Sequence, residues 1–301
     1  MKGSRFSRFL LLIGLGVGLD AVILPSVYGS VSYTTPGSSY LQNFDSLPNT
    51  PENVSLGNSP IGWTDDNAVP GAGNFSIVGW YLYHPTMTTE GGFNGHQRFR
   101  NGTGSSGTGA FYSFGSSGSN ERALGDVGAN TLAPDGQTGN DAGNLYIALR
   151  LSNNTGQTLD SFTLGYTGEQ WRDGGTSTAE TMTLSWSTTA TAVSDPSTSF
   201  SLVPLLSWTS PKATATAGAL DGNNAANRVV VTPFTVTGIN WAAGTDLWLR
   251  WTDPQLSGKV DQGMAIDDVS ISADVSVPEP SSIALLSFGT LGFVAARRRK
   301  N

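Results

Sequence analysis

Short runs in which every second residue is hydrophobic constrain this chain more than any other feature of its sequence. Leu145, Ile147, Leu149 and Leu151 show this spacing, which recurs at 182–186 and 247–251. Successive side chains of an extended strand point to opposite faces, so each run presents one apolar face. No segment between residues 30 and 275 combines ten residues of helical periodicity with capping residues. The sequence therefore predicts an all-β body.

Twelve strands are predicted from these runs and from the Gly, Asn, Asp, Ser and Pro residues that separate them. Their ranges are 40–44, 75–83, 96–100, 110–114, 122–124, 145–152, 161–166, 181–188, 202–208, 228–236, 246–251 and 263–271. Short strands with frequent turn signals are typical of antiparallel sandwiches. No repeat and no change of composition divides the body. We therefore expect one antiparallel, jelly-roll-like β-sandwich over residues 30–275.

The distribution of charge excludes some partners. Seven of the 16 cationic residues lie in the two termini, whereas 22 of the 23 acidic residues lie between residues 30 and 279, which gives that segment a net charge of about −13. Such a segment repels nucleic acid and anionic membranes. The chain has no cysteine, which excludes disulfides and thiolate zinc sites. The hydrophobic core or a metal ion must therefore hold the body, and calcium would reduce its self-repulsion.

The N-terminus carries the features of a secretory signal peptide. Lys2, Arg5 and Arg8 form a basic region, residues 9–19 an apolar region, and residues 27–29 a passable cleavage site. We therefore expect residues 1–29 to be a signal helix that is removed on export.

The C-terminal residues 276–301 combine three features in a fixed order. Pro278, Glu279 and Pro280 come first, followed by an apolar run at 283–296 and by Arg297, Arg298, Arg299 and Lys300. The apolar run is short for a membrane-spanning helix, which needs about 20 residues, and the basic cluster favours a cytoplasmic C-terminus. This order resembles the PEP-CTERM sorting signal of bacteria with an exopolysaccharide-rich envelope.

The resemblance of the tail implies a destination for the protein. It implies passage through the secretion machinery and an inner-membrane intermediate held by a hydrophobic transmembrane helix at 283–296. An exosortase-type membrane protease would then recognise and cleave the tail near the Pro-Glu-Pro motif. The protein would finally lie at the cell surface or in the extracellular matrix.

A second resemblance covers most of residues 40–272. Its blocks lie at 112–115, 121–125, 165–172, 220–223, 227–228, 249–253 and 265–269, and the Gly-Glu-Gln-Trp-Arg block at 168–172 is the most specific. Their order and spacing resemble a recurrent extracellular jelly-roll domain of PEP-CTERM proteins. The openings at 43–47 and 62–64 and the closing Ile-Asp-Asp-Val are shared with carbohydrate-binding and adhesion jelly rolls. The resemblance implies an exported β-sandwich and supplies no established catalytic residue.

Glu169, Trp171 and Arg172 form a candidate ligand surface, because a glutamate beside an exposed tryptophan is common in sugar clefts. The alternative is that Glu169 pairs with Arg122, Arg172 or Arg250 and stabilises the sandwich. Trp248 and Trp251 are expected on opposite faces of one strand, one in the core and the other free to be exposed. The two histidines, His84 and His96, are expected to be solvated loop residues.

Asp267 and Asp268 are adjacent on the predicted last strand, so one carboxylate is expected to face inward or toward an edge. A buried carboxylate must be paired or must bind a cation. Jelly rolls of the adhesion and carbohydrate-binding kind often hold structural calcium there with an acid from the N-terminal strand, here Asp45. The alternative is an aspartate that caps a turn.

Three functional hypotheses follow from the sequence. The first is a non-enzymatic protein of the cell envelope or extracellular matrix that contacts exopolysaccharide. The second is an extracellular glycan hydrolase that uses Glu169 as acid or base, for which a second carboxylate is required. The weakest is an accessory domain of an extracellular nuclease system, against which the charge of the body argues.

Overall fold

A computed structural model describes residues 29–49, 75–84, 99–129, 143–254 and 260–276. The predicted signal peptide up to residue 28, His96, the block at 62–64 and the tail from residue 277, which includes the predicted helix at 283–296, lie outside these ranges. Over the described residues the regular structure is β-strand apart from two 3₁₀ turns, Ser197–Ser199 and Pro204–Leu206. No helix in these ranges is long and apolar enough to cross a membrane.

The strands are numbered along the chain. They are β1 (Val31–Tyr33), β2 (Ser39–Gln42), β3 (Trp80–Tyr83), β4 (Phe99–Gly102), β5 (Ala110–Phe114), β6 (Ala123–Ala129), β7 (Leu145–Asn153), β8 (Leu159–Asp173), β9 (Thr181–Ser187), β10 (Ser201–Leu202), β11 (Trp208–Thr209), β12 (Gly218–Ala219), β13 (Arg228–Trp241), β14 (Asp246–Asp253) and β15 (Val260–Asp274).

These strands form two sheets that pack face to face. The seven-stranded sheet has the order β1-β7-β14-β9-β10, with β3 beside β7 and β11 beside β9. The eight-stranded sheet has the order β12-β8-β15-β6-β5-β4, with β13 beside β8 and β2 beside β15. Neighbours are antiparallel except for the pairs β1–β7 and β4–β5, which are parallel. The fold confirms the predicted β-sandwich and adds two parallel pairings.

The faces predicted from the alternating residues form the core between the sheets. Leu149, Leu249 and Trp251 are fully buried in it. The Trp80 ring stacks on Trp251 with centroids 5.6 Å apart, and Phe44 meets Trp80 edge-on at 4.8 Å. Each large apolar side chain buried in this way contributes about 1.5–3 kcal/mol, so a sandwich without disulfides can rest on this core.

Trp248 and Trp251 lie on opposite faces as expected, but the expectation that one could be exposed is wrong. Trp248 is 1% exposed and packs in a second cluster with Tyr81, Val193 and Phe200. Residues 188–200 therefore supply a cover over the outer face of the seven-stranded sheet. The period of β14 cannot reveal this cover, because an irregular segment supplies it.

Two predicted boundaries differ from the structure in ways that matter for the site. The predicted strand 161–166 extends to residue 173, which places the Gly-Glu-Gln-Trp-Arg block inside a strand rather than after one. The prediction of one strand over 202–208 is wrong. Pro204, which has no backbone donor, begins a 3₁₀ turn that separates β10 from β11.

Candidate functional site

Three carboxylates that are distant in sequence meet on the outer face of the eight-stranded sheet. Glu169 lies on β8 opposite Ala265 of β15, and Asp267 follows two residues later on β15. Glu121 precedes β6, which flanks β15 on its other side. One carboxylate oxygen of each acid lies within 4.8 Å of the others. We call Glu121, Glu169 and Asp267 the outer carboxylate cluster.

A β-bulge directs Asp267 into this cluster. Asp268 has a left-handed backbone conformation with φ of 49°, and the register of β15 with β8 shifts between Asp267 and Ser270. Asp267 therefore faces outward and is buried under neighbouring groups, whereas Asp268 is exposed. The sequence predicts that one of the two carboxylates faces inward or toward an edge. Asp267 is indeed the buried one, but it lies on the outer face rather than in the core, because the extra residue of the bulge interrupts the alternation.

The hydrogen bonds of the cluster leave one of its carboxylate oxygens without a partner. The indole nitrogen of Trp171 donates to Glu169 Oε2 at 3.0 Å, and the side-chain amide of Asn223 donates to Glu121. Asp267 is 5% exposed, yet its Oδ1 accepts no hydrogen bond. Arg228 is the cross-strand neighbour of Glu169, but its side chain is exposed and, among the described residues, forms no ion pair with the cluster.

The pKa values of two members reflect this environment. Burial raises the pKa of Glu169 to about 7, and the negative charges of Glu121 and Asp268 add to the effect, whereas the Trp171 hydrogen bond and Arg228 oppose it. Burial likewise raises the pKa of Asp267 to about 9, with Glu169 among the contributing charges. Without a cation, the folded protein therefore keeps protons here that a solvated carboxylate would release.

Glu169 does not pair with the arginines that the sequence suggested. It has no ion pair with Arg122, Arg172 or Arg250 in the described part of the chain. Each of these arginines donates to oxygens elsewhere, Arg122 to Ser113, Arg172 to Gly104 and Ser105, and Arg250 to Val193 and Asp195. The alternative that Glu169 pairs with one of these three arginines is therefore wrong.

Trp171 is not part of an exposed ligand surface. It is 1% exposed and stacks on Phe114 with ring centroids 6.0 Å apart. Gly222 covers its indole ring so closely that an added Cβ would lie 2.4 Å from Nε1. Arg172 is half-buried, and its guanidinium holds the 104–105 segment against β8. The prediction that Trp171 stacks on a ligand is therefore wrong.

Asp45 and His84 also differ from their expected places. Asp45 is exposed on the turn after β2, where its carboxylate accepts a hydrogen bond from Asn43 at 2.6 Å, and it is not a member of the outer carboxylate cluster. His84 is buried, so it is not the solvated loop residue that the sequence suggested.

Sequence reasoning missed Glu121 and Asn223 as site residues. Both lie in the blocks of the body resemblance, at 121–125 and 220–223, and four of those blocks converge on this one site. The convergence of separate blocks was a usable signal, but their meeting point depends on the strand order β8-β15-β6, which the sequence did not reveal.

Comparison with known proteins identifies the tail. Residues 276–300 match the PEP-CTERM protein-sorting motif, which confirms the resemblance of the tail and indicates an exported, sorted surface protein. The motif begins two residues after the end of β15 at Asp274. The particular jelly-roll type suggested for the body stays a prediction. No curated protein sequence matches the chain.

Several solved structures are distantly similar to the chain. The K2 cleaved adhesin domain of Lys-gingipain matches with a TM-score of 0.36 and 12% identity over 78% of this chain and 98% of that one. The K1 domain from Porphyromonas gingivalis matches with a TM-score of 0.30 and 13% identity over 79% and 99%. TmCBM61, solved in complex with β-1,4-galactotriose, matches with a TM-score of 0.25 and 7% identity over 52% and 74%. Similarities this distant say nothing about what the present chain binds.

Proposed function

We propose that this protein is a non-catalytic component of the cell envelope or extracellular matrix whose body binds calcium at the outer carboxylate cluster. One observation carries the proposal for the body: the cluster brings carboxylate oxygens together at ionic distances but is closed to anything as large as a sugar. The sorting motif supports the destination. Its processing requires the secretion machinery and an exosortase-type membrane protease.

Calcium suits the cluster because all three side chains offer hard oxygen ligands. Calcium takes six to eight oxygens at about 2.3–2.6 Å, so oxygens that share an ion lie within about 5 Å of one another, as those of Glu121, Glu169 and Asp267 do. The unpartnered Oδ1 of Asp267 is a ligand position without another use. A bound ion would compensate the carboxylates and join the start of β6 to β8 and β15. Calcium at Asp45 and Asp268 stays a separate prediction, since both side chains are exposed.

The burial of the cluster argues against the glycan hydrolase. The spacing alone would suit a retaining glycosidase, whose carboxyl groups lie about 5–5.5 Å apart. The two carboxyl groups of such an enzyme must, however, reach a sugar ring that lies between them. Glu169 is 1% exposed and accepts a hydrogen bond from the buried Trp171 indole. The nuclease accessory role stays disfavoured, because the net charge of about −13 between residues 30 and 279 repels phosphates.

A groove on the same outer face supports contact with polysaccharide. Ser161, Thr163, Thr237 and Ser272, together with Asp160 and Asp274, line a space of about 430 Å³. Hydroxyl and carboxylate groups hydrogen-bond to sugar hydroxyls, and the groove ends at Ser276, where the sorting motif begins. An exopolysaccharide chain could thus lie along the sheet close to the site of tail processing.

Export and processing can be tested in a host that contains an exosortase. The full chain is compared with a Pro278→Ala/Pro280→Ala variant and with a Pro211→Ala control, which changes an exposed proline of the body. We expect the wild type and the control to reach the surface without residues 281–301 and the double variant to stay in the inner membrane. Fractionation and the mass of the C-terminal peptide measure this, and equal processing of all three chains would refute the sorting role.

Polysaccharide contact has its own experiment. Ser272→Arg fills the groove, and Ser201→Arg places the same side chain on an exposed strand of the other sheet. We expect retention on immobilised native exopolysaccharide to be lost only for Ser272→Arg. Equal retention of both variants would show that the groove does not bind the polysaccharide. Release of reducing sugar by the wild type but not by Glu169→Gln would instead support the glycan hydrolase.

A further inference from the structure

The groove on the outer face of the eight-stranded sheet combines carboxylates with hydroxyl groups. Besides serine and threonine side chains and Val275, it is lined by Asp160 and Asp274. No lysine, arginine or histidine of the described chain contributes to the lining. A molecule that enters the groove therefore meets negative charge and hydrogen-bonding groups, but no positive charge.

Two rows of side chains cross the three strands β13, β8 and β15 on this face. The first row is Thr237, Ser161 and Asp274, and the second row is Thr235, Thr163 and Ser272. These residues alternate along their strands with Phe162 and Ile271, which pack in the core, so the rows point outward. Neighbouring strands lie about 4.7–4.9 Å apart, which brings each row within reach of one or two sugar units.

The hydroxyl groups of the rows are available to a ligand. Thr163 and Thr235 share one hydrogen bond of 2.7 Å between their hydroxyl oxygens, so the pair keeps the proton of its acceptor. The hydroxyls of Ser161, Thr237 and Ser272 form no hydrogen bond within the described part of the chain. Each row can therefore both donate to sugar hydroxyls and accept from them.

The two carboxylates are also available. Asp274 is exposed, and its Oδ1 accepts a hydrogen bond from the backbone nitrogen of Val275 at 2.9 Å. Neither Asp274 nor Asp160 forms an ion pair with a lysine or arginine among the described residues. A positively charged ligand would gain charge-assisted hydrogen bonds here, which are stronger than those between neutral groups.

The same chemistry disfavours other classes of polysaccharide. Uronic acids and sulfated sugars carry charge of the same sign as Asp160 and Asp274, and the net charge of about −13 between residues 30 and 279 adds to the repulsion. No aromatic ring of the described chain lines the groove, so a neutral sugar gains no stacking there.

We propose that the groove binds polysaccharide rich in unacetylated amino sugars, whose ammonium groups pair with Asp160 and Asp274. This inference rests on the proposed contact with polysaccharide and names the class of sugar. A polymer suits the groove, because one exposed ion pair contributes little, whereas linked ammonium groups bind together. The hydroxyl rows favour a sugar over a basic peptide, since each sugar ring presents hydroxyl groups beside its amine.

The test compares two ligands that differ in charge: a hexamer of β-1,4-linked glucosamine and the same hexamer with every amine acetylated. Calorimetric titration into the full chain is performed in chelator at a slightly acidic pH, at which the amines are protonated. We expect the wild type to bind the charged hexamer about tenfold more tightly than the acetylated one. Added salt should reduce this difference.

Two variants locate the effect. Asp160→Asn/Asp274→Asn should bind the two hexamers with equal affinity, because it removes the negative charge and keeps the size of the side chains. Asp195→Asn removes a carboxylate from the segment that covers the opposite side of the sandwich, and it should keep the preference for the charged hexamer. Unchanged unfolding temperatures of both variants would show that neither is misfolded.

The possible outcomes separate this inference from the proposed function. Equal binding of both hexamers by the wild type, lost in Ser272→Arg, would leave the polysaccharide contact intact and overturn the preference for amino sugars. Binding of neither hexamer would also overturn it, and the polysaccharide contact would fail as well if native exopolysaccharide does not retain the chain. Binding of hexalysine as tight as that of the charged hexamer, lost in Asp160→Asn/Asp274→Asn, would assign the groove to basic peptides instead.

Discussion

The outer face of the seven-stranded sheet and the outer carboxylate cluster of the eight-stranded sheet compensate buried charge in opposite ways. Arg250 is 1% exposed, and its guanidinium lies 3.7 Å from the centroid of the Phe200 ring and 4.5 Å from that of Tyr146. It donates to the carbonyls of Val193 and Asp195 at 3.1 and 2.7 Å. Glu169 and Asp267 of the outer carboxylate cluster, by contrast, form no ion pair with a lysine or arginine among the described residues.

This difference follows from the chemistry of the two charges. Arginine stays protonated at any accessible pH, so a fold that buries it must supply acceptors from its own chain. A carboxylate can instead take a proton or an ion from solution. The face around Arg250 is therefore stable by itself, whereas the outer carboxylate cluster makes the stability of the body depend on the pH and on the cations of its surroundings. An exported protein without cysteine can gain rigidity in this way.

One of the largest expected effects tests whether the stability of the body depends on calcium at the outer carboxylate cluster. Removing calcium from the full chain with a chelator should lower its free energy of unfolding by about 4 kcal/mol, because one site at 1,000-fold excess over Kd contributes about 4.1 kcal/mol. Thermal unfolding with and without chelator at neutral pH measures this. Unchanged unfolding would show that the outer carboxylate cluster holds no ion.

Substitution at Arg250 tests the outer face of the seven-stranded sheet, which compensates its buried charge with groups of the chain itself. Arg250→Ala should cost about 3–5 kcal/mol, because three hydrogen bonds from a charged group to Val193, Asp195 and Ser197 are lost, together with stacking on two rings. Urea unfolding gives the value. Arg250→Lys keeps the charge without the planar fork and should fall between. The loss should be the same with calcium and with chelator, and a calcium-dependent loss would contradict the separation of the two regions.

The chelated protein should become less stable as pH rises. Folded Glu169 and Asp267 keep their protons up to pKa values of about 7 and about 9, whereas the unfolded chain releases them near pH 4. The folded state then binds more protons, so stability falls as pH increases through this window. We expect a loss of about 4 kcal/mol between about pH 6 and 8, roughly 1.4 kcal/mol from Glu169 and roughly 2.7 kcal/mol from Asp267. Saturating calcium should abolish this fall, and a fall of equal size with calcium would argue that protons alone neutralise the outer carboxylate cluster.

The smallest effect isolates one ligand. Glu169→Gln keeps the size of the side chain and an oxygen that can accept the Trp171 hydrogen bond, but it removes the charge that attracts the ion. We expect calcium to stabilise this variant by about 2–3 kcal/mol less than the wild type, with little change in chelator. Glu121→Gln is the matched comparison at the exposed side of the cluster, and a larger effect there than at Glu169 would contradict the assigned geometry.

Alternation of residues predicted the core more completely than it predicted the sites. The faces formed by Leu145–Leu151 and Leu247–Trp251 are as expected, since the period is a local property. The same period also places three acids, Asp126, Glu180 and Asp253, in phase with apolar core positions, which predicts that they are buried. An acid in phase with a buried face marks a group that needs compensation.

Other features of the site could not be predicted from local sequence patterns. The meeting of Glu121, Glu169 and Asp267 depends on the order of β8, β15 and β6 and on a bulge at Asp268, a residue that is not glycine despite its positive φ. The burial of Trp171 depends on Gly222 from a distant loop. Both are long-range contacts, and an isolated Glu-Gln-Trp-Arg sequence suggests an exposed cleft.

Calorimetric titration of calcium into the chelated full chain tests the central claim most directly, because it counts sites without any substitution. We expect binding that saturates at one calcium ion per chain, with an accompanying rise in the unfolding temperature. No binding, or binding without a rise in that temperature, would contradict the calcium site, since the buried carboxylates of the outer cluster would then be neutralised by protons alone.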